Sequence, residues 1–259
     1  MRSSNPVIKE DTFRKAGYVS DLSEQMTMHG TVNKSITLLF LLLIAAVWPW
    51  NIFFNANSNM LDAIEPVYNT AGIMPFLWGG LIVGMIVGFV TIFKIEWSPI
   101  TAPLYAIAEG LFLGALSAIM EAQFPGLVIQ AVALTFGVLM VMLTAYRAGF
   151  IKVTEKLKMG ITAATGAVCL IYLASMVLRM FGTEIPYIHD SGIFGIGFSL
   201  VVVGIAAFNL VLDFDLIENG VGQGAPKFME WYGAFTLMVT LVWLYIEMLR
   251  LLAKLRDRE

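Results

Sequence analysis

Acidic side chains inside long apolar stretches are the residues of this chain best placed to do chemistry. Glu109 lies midway along one such stretch, in Ala108-Glu109-Gly110. Asp213 and Asp215 end another, in a segment that runs from Asn209 to Glu218, and the final stretch carries Glu230 at its start and Glu247 near its end. An ionisable group at membrane depth is costly and marks a functional site by default. Helical spacing groups these residues. Asn209 and Asp213 are four apart and share a face, whereas Asp215 is turned about 200° away from Asp213. Thr240 and Glu247 share a face of the last stretch, separated by about 10 Å along the axis. Glu109 and Asp213 lie toward the same side of their stretches and can reach a common depth. Crowded carboxylates in a low-dielectric interior can share a proton. When ionised, the same oxygens attract hard cations such as calcium. Asp213 is therefore the candidate metal-contacting residue, and Asp215, Glu218 and Glu230 are expected as interfacial acids facing solvent.

The elements that must position these side chains follow from composition. Of 259 residues, 58% are hydrophobic and 14% charged, against roughly a quarter charged in a soluble domain. Apolar stretches of membrane-spanning length run over 35–54, 73–93, 100–120, 127–146, 160–181, 192–213 and 229–252. The chain is thus expected to be all-α and polytopic, with a polar tail over 1–34 and a seven-helix membrane domain over 35–259. A formal charge of −3 gives no basic face for nucleic acid. The single cysteine, Cys169, and the two histidines, His29 and His189, exclude a disulfide framework and a thiolate or histidine-rich metal centre. The polar start of the chain does not read as a cleavable signal peptide.

Basic residues set the expected orientation. Arg2, Lys9, Arg14, Lys15 and Lys34 precede the first span, Lys94 follows the second, and Arg147, Lys152, Lys156 and Lys158 follow the fourth. The alternate loops carry Asp62 and Glu65, or Glu184, His189 and Asp190. This pattern puts the N-terminus in the cytoplasm. Arg250, Lys254, Arg256 and Arg258 break it if the last span crosses fully, and a full crossing is nevertheless expected. Gly80, Gly84 and Gly88 recur every four residues, as do Gly110 and Gly114, which predicts grooves where helices approach closely. Pro49, Pro75 and Pro103 are expected to kink or start helices.

The segment Leu212-Asp213-Phe-Asp-Leu-Ile217, a glycine-containing turn and a long helix ending Leu249-Arg250-Leu-Leu together resemble the Bax inhibitor-1, or transmembrane Bax inhibitor motif, family. The seven spans, the small-residue-rich third span and the basic loop after the fourth are similar too, over residues 35–255. Met1-Arg-Ser-Ser-Asn-Pro6 and Ala108-Glu109-Gly110 look like a bacterial YccA-type subgroup. The resemblance implies a seven-helix fold with the last helix central. In some members it implies a pH-sensitive calcium leak, where aspartates on the sixth and seventh helices share a proton beside a basic residue ending the second. Other members restrain cell death or modulate a bacterial membrane protease. On this resemblance Asp213 matches the first aspartate, and Lys94 falls near the basic position as a candidate latch. Thr240 stands where the second aspartate belongs. A threonine can hydrogen-bond an aspartate but cannot share a titrating proton with it. Glu247 or, preferably, Glu109 would then supply the second carboxylate.

The resulting expectation is a protonation-regulated, calcium-permeable leak in a bacterial inner membrane. It has no cofactor, and calcium is only the permeant ion. Its alternative is a non-transporting membrane regulator that binds a membrane protease or another stress-response partner. No enzyme is expected. His189 lies in a loop, Asp213 lacks an aspartate partner in another span, and the last span has no lysine before Lys254.

Overall fold

The computed structural model describes residues 24–58, 68–182 and 191–258. Arg2, Lys9, Arg14, Lys15, Asp62, Glu65, Glu184, His189 and Asp190 lie outside them. The described residues form seven long helices: α1 (Met28–Ala56), α2 (Met74–Phe93), α3 (Ser98–Gln123), α4 (Leu127–Arg147), α5 (Glu155–Met180), α6 (Ile193–Gly222) and α7 (Met229–Arg256). A 3-10 turn, Ile95–Trp97, links α2 to α3. All seven are long and apolar enough to cross a membrane, so the chain is an all-α, multi-pass membrane protein. The helix axes start and stop for local reasons. Thr27 caps α1 by accepting the Gly30 N–H at 3.0 Å, and Pro75 sits in the first turn of α2, where its missing N–H is not needed. Pro49 and Pro103 lie inside α1 and α3.

Burial divides the helices. More than half of the apolar window of α3, α6 and α7 is buried, 56–61%, against 17–22% for the other four. The last helix is therefore one of the three most buried. The exposed faces of the others are large and apolar: Phe40, Ile44 and Trp48 repeat every four residues along α1. Such a stripe is unsuited to water and fits contact with the bilayer.

Two compact units divide the described chain, one built from 24–128 with 217–238, the other from 129–216 with 239–258. In the first, α1 and α2 both pack on α3. The glycine stripes supply the contact. A Cβ on Gly80 would stand 2.7 Å from the Ala108 carbonyl oxygen, and one on Gly110 or Gly114 would run into the α1 backbone at Leu42 or Ala46. At the end of α1, Phe53, Ile73, Ala115 and Ala118 form a small core beneath Trp50 and Phe76.

The opposite end of α1 is fastened to the α6–α7 turn. Gln25 pairs antiparallel with Pro226, with Met26 N donating to Ala225 O at 2.6 Å and Lys227 N to Glu24 O at 2.8 Å. Gly224, at φ 67°, makes the left-handed turn that brings this segment around. Glu230 closes the junction. Its Oε1 accepts the Thr27 N–H at 3.0 Å and the Thr27 hydroxyl at 2.9 Å, and its Oε2 pairs with Lys34. Gly30 leaves the space that Glu230 fills. Lys34 also lies over the Trp231 ring. Glu230 is thus not the solvent-facing interfacial acid expected above: it is 1% exposed.

The second unit holds α4, α5, most of α6 and the C-terminal part of α7. Here α6 runs on past Asp213 as far as Gly222, so Asp213 and Asp215 lie inside a helix and do not close it.

Candidate ion site

Within the second unit, polar side chains join α5, α6 and α7 like rungs. Asn209 of α6 donates from Nδ2 to Thr165 Oγ1 of α5 at 2.9 Å, and to its own helix at Ile205 O. One turn on, Asp213 is 1% exposed, and its Oδ2 accepts the hydroxyl of Thr240 from α7 at 2.5 Å. Asn209 and Asp213 therefore do share one buried face, as their spacing requires. Asp215, turned away, bridges Lys158 at 3.0 Å, and Glu218 is exposed.

Two turns along α7 from Thr240 stands Glu247, 1% exposed. Both of its carboxylate oxygens accept the Tyr172 hydroxyl of α5 at 3.0 Å. Arg250 Nη1 donates to Glu247 Oε1 at 2.8 Å and to the Tyr172 oxygen at 2.5 Å. The guanidinium lies 4.8 Å above the Tyr172 ring centroid, adding a cation–π contact to the ion pair. Beyond it, Lys254 is buried and donates to Gly195 O and Ser199 Oγ of α6, each at 3.0 Å.

Sequence reasoning missed Thr165, Tyr172, Arg250 and Lys254. Arg250 and Lys254 count there as topology charges, and Arg250 also as part of a motif, but neither as a partner of a buried group. The three-residue spacing from Glu247 to Arg250 was the signal for a same-helix pair. Nothing in the sequence of α5 points to Tyr172.

Glu109 belongs to the first unit, where it is 7% exposed on α3. Its carboxyl is hydrogen-bonded with the hydroxyl of Tyr105, one turn earlier, and it occupies the notch left by Gly84 of α2, where a Cβ would stand 2.8 Å from Oε1. Tyr105 in turn meets Phe235 of α7 edge-on, with ring centroids 4.9 Å apart. Among the described residues no basic side chain pairs with Glu109. Lys94 is exposed at the end of α2, where its backbone N–H caps the helix through Val90 O at 2.8 Å.

Chemically, the Asp213–Thr240 contact suits either charge state of the acid. A hydroxyl can donate to a carboxylate, or turn and accept from a carboxylic acid. Threonine cannot serve as a second acid. Among the described residues no three histidine, cysteine or acidic side chains come close enough to hold a metal ion. The single cysteine, Cys169, is exposed.

No curated protein and no solved structure was found to match the chain. The family described as Bax inhibitor 1 like matches it over residues 5–257. With that match spanning nearly the whole sequence and seven spanning helices in place, this multi-pass membrane protein belongs to the Bax inhibitor 1 like family.

Proposed function

We propose that the protein is a protonation-regulated cation leak, permeable to calcium, in a bacterial inner membrane with its N-terminus in the cytoplasm. The observation that carries this reading is the buried Asp213 carboxylate held against the Thr240 hydroxyl on the neighbouring helix. In the ionised state that carboxylate is a hard-oxygen attraction for a divalent cation, and a proton on it removes the attraction while the Thr240 bond persists. Glu247 is a second acid on the same face of α7, neutralised by Arg250. The intermittent placement of basic residues supports the orientation, and the YccA-type features of the N-terminus and of Ala108-Glu109-Gly110 support a bacterial source.

Calcium flux into liposomes, followed from mildly acidic to mildly alkaline pH, tests this reading. Wild type should show pH-dependent flux, and Asp213→Asn should flatten the dependence. Glu109→Gln asks whether the acid of the first unit takes part. If it changes the pH profile as well, Glu109 is the second titrating carboxyl; if it does not, Asp213 acts with Thr240. No flux at any pH would replace the leak with the second function class, a non-transporting regulator that binds a membrane protease or stress-response partner.

A further inference from the structure

The loop between α4 and α5, with the helix ends that flank it, carries three cations and an aromatic ring that no ion pair or ring contact engages among the described residues. At the end of α4 the chain folds back: Gly149, at φ 72°, donates to Tyr146 O at 3.0 Å, and Phe150 N donates to Ala145 O at 3.0 Å. This turn projects the Phe150 ring outward, leaving it 84% exposed. Around it, Arg147, Lys152 and Lys156 are exposed, and none of them is ion-paired among the described residues. Lys158 differs. It bridges Asp215 at 3.0 Å and Glu155 at 3.6 Å, which also neutralises the acid that starts α5. Met159, 69% exposed, extends the apolar surface onto the first turns of α5.

We infer that the α4–α5 loop is a docking surface for anionic phospholipid, with Phe150 seated at the acyl–headgroup boundary and Arg147, Lys152 and Lys156 on lipid phosphodiesters. The loop joins two membrane-spanning helices, so it stands at the level of the headgroups. There, an exposed phenylalanine gains by entering the apolar boundary, and unpaired lysine and arginine gain from anionic headgroups. Arginine is suited to grip a phosphate through two parallel N–H donors. A solvated loop would leave the ring in water, and a loop that only fixed topology would not need Phe150 beside the charges. This surface is independent of whether the protein conducts ions.

Native mass spectrometry of the full-length protein in detergent, titrated with phosphatidylglycerol or phosphatidylcholine, tests the inference. Wild type should retain phosphatidylglycerol in preference, and Arg258→Gln should keep that preference. The triple variant Arg147→Gln/Lys152→Gln/Lys156→Gln should lose affinity by about fivefold per charge removed. A spin label at Phe150→Cys, in a Cys169→Ser background, should collide with dissolved oxygen more than with a water-soluble nickel chelate. An unchanged lipid preference in the triple variant would overturn the inference, as would a label at 150 open to the aqueous chelate. A triple variant that keeps its lipid but sheds a co-purifying acidic protein would also overturn it, in favour of a protein partner.

Discussion

Glu109 and Glu230 are both glutamates, both buried, and both in the first unit, yet the protein treats them in opposite ways. Glu230 is saturated: a backbone N–H, a hydroxyl and an ammonium converge on its two oxygens, at the start of α7 where the helix dipole favours an anion. Glu109 lies well inside α3 with one neutral phenol as its hydrogen-bond partner and a glycine where a side chain would be. The first is a fastener whose charge is needed for the fold. The second is housed by shape, and among the described residues no cation pairs with it. Burial alone therefore does not identify a functional acid; the complement of donors around it does.

The contrast can be broken most directly at Glu230. Glu230→Ala strands Lys34 and should lower stability by about 3 kcal/mol, below the upper end for buried pairs because Lys34 keeps 21% exposure. A thermal unfolding midpoint in detergent no lower than that of Glu109→Ala would erase the distinction. Lys34→Met should cost about 2 kcal/mol by leaving Glu230 to Thr27. The double variant Lys34→Met/Glu230→Met should recover most of that loss, and its failure to do so would show that the Thr27 hydrogen bonds to Glu230 outweigh the ion pair. Gly84→Ala is expected to cost only about 1 kcal/mol, because the added methyl meets the movable end of Glu109. Gly80→Ala, which meets backbone, should be the worse of the two in the same unfolding assay. Smallest of all is Glu109→Gln, expected within about 1 kcal/mol of wild type, since the Tyr105 hydroxyl can donate to the amide oxygen. A larger loss would mean that the charge itself is held by groups of the first unit.

Much of the fold is legible in the sequence, and the misses share a cause. The apolar stretches at 73–93 and 127–146 fall within a residue of α2 and α4, because there hydropathy and helix end together. They part company at α1, which starts with His29, Asn33 and Lys34 already helical, and at α6, which continues through Asp213, Asp215 and Glu218. A helix persists while propensity and hydrogen bonding allow, whereas an apolar window stops at the first charges. The glycine stripes are legible because a period of four names a face. Glu230 is not, since its partners lie at Thr27 and Lys34, about two hundred positions upstream, and no local pattern announces them. The Asp213–Thr240 contact is the intermediate case. Its register follows from family resemblance, while the contact itself shows only once the two helices are packed.

The junction at Glu230 also sets an order of events during synthesis. Thr27 and Glu230 are 203 residues apart, and chains elongate at roughly 5–20 residues per second. The first helix therefore enters the membrane about 10–40 seconds before the residue that secures its start has been made. During that interval Lys34 faces headgroups and water without its carboxylate, and the earliest helix to be inserted is among the last to be locked. A ribosome that stops short of Glu230 leaves a chain whose helices are inserted but whose ends are not tied.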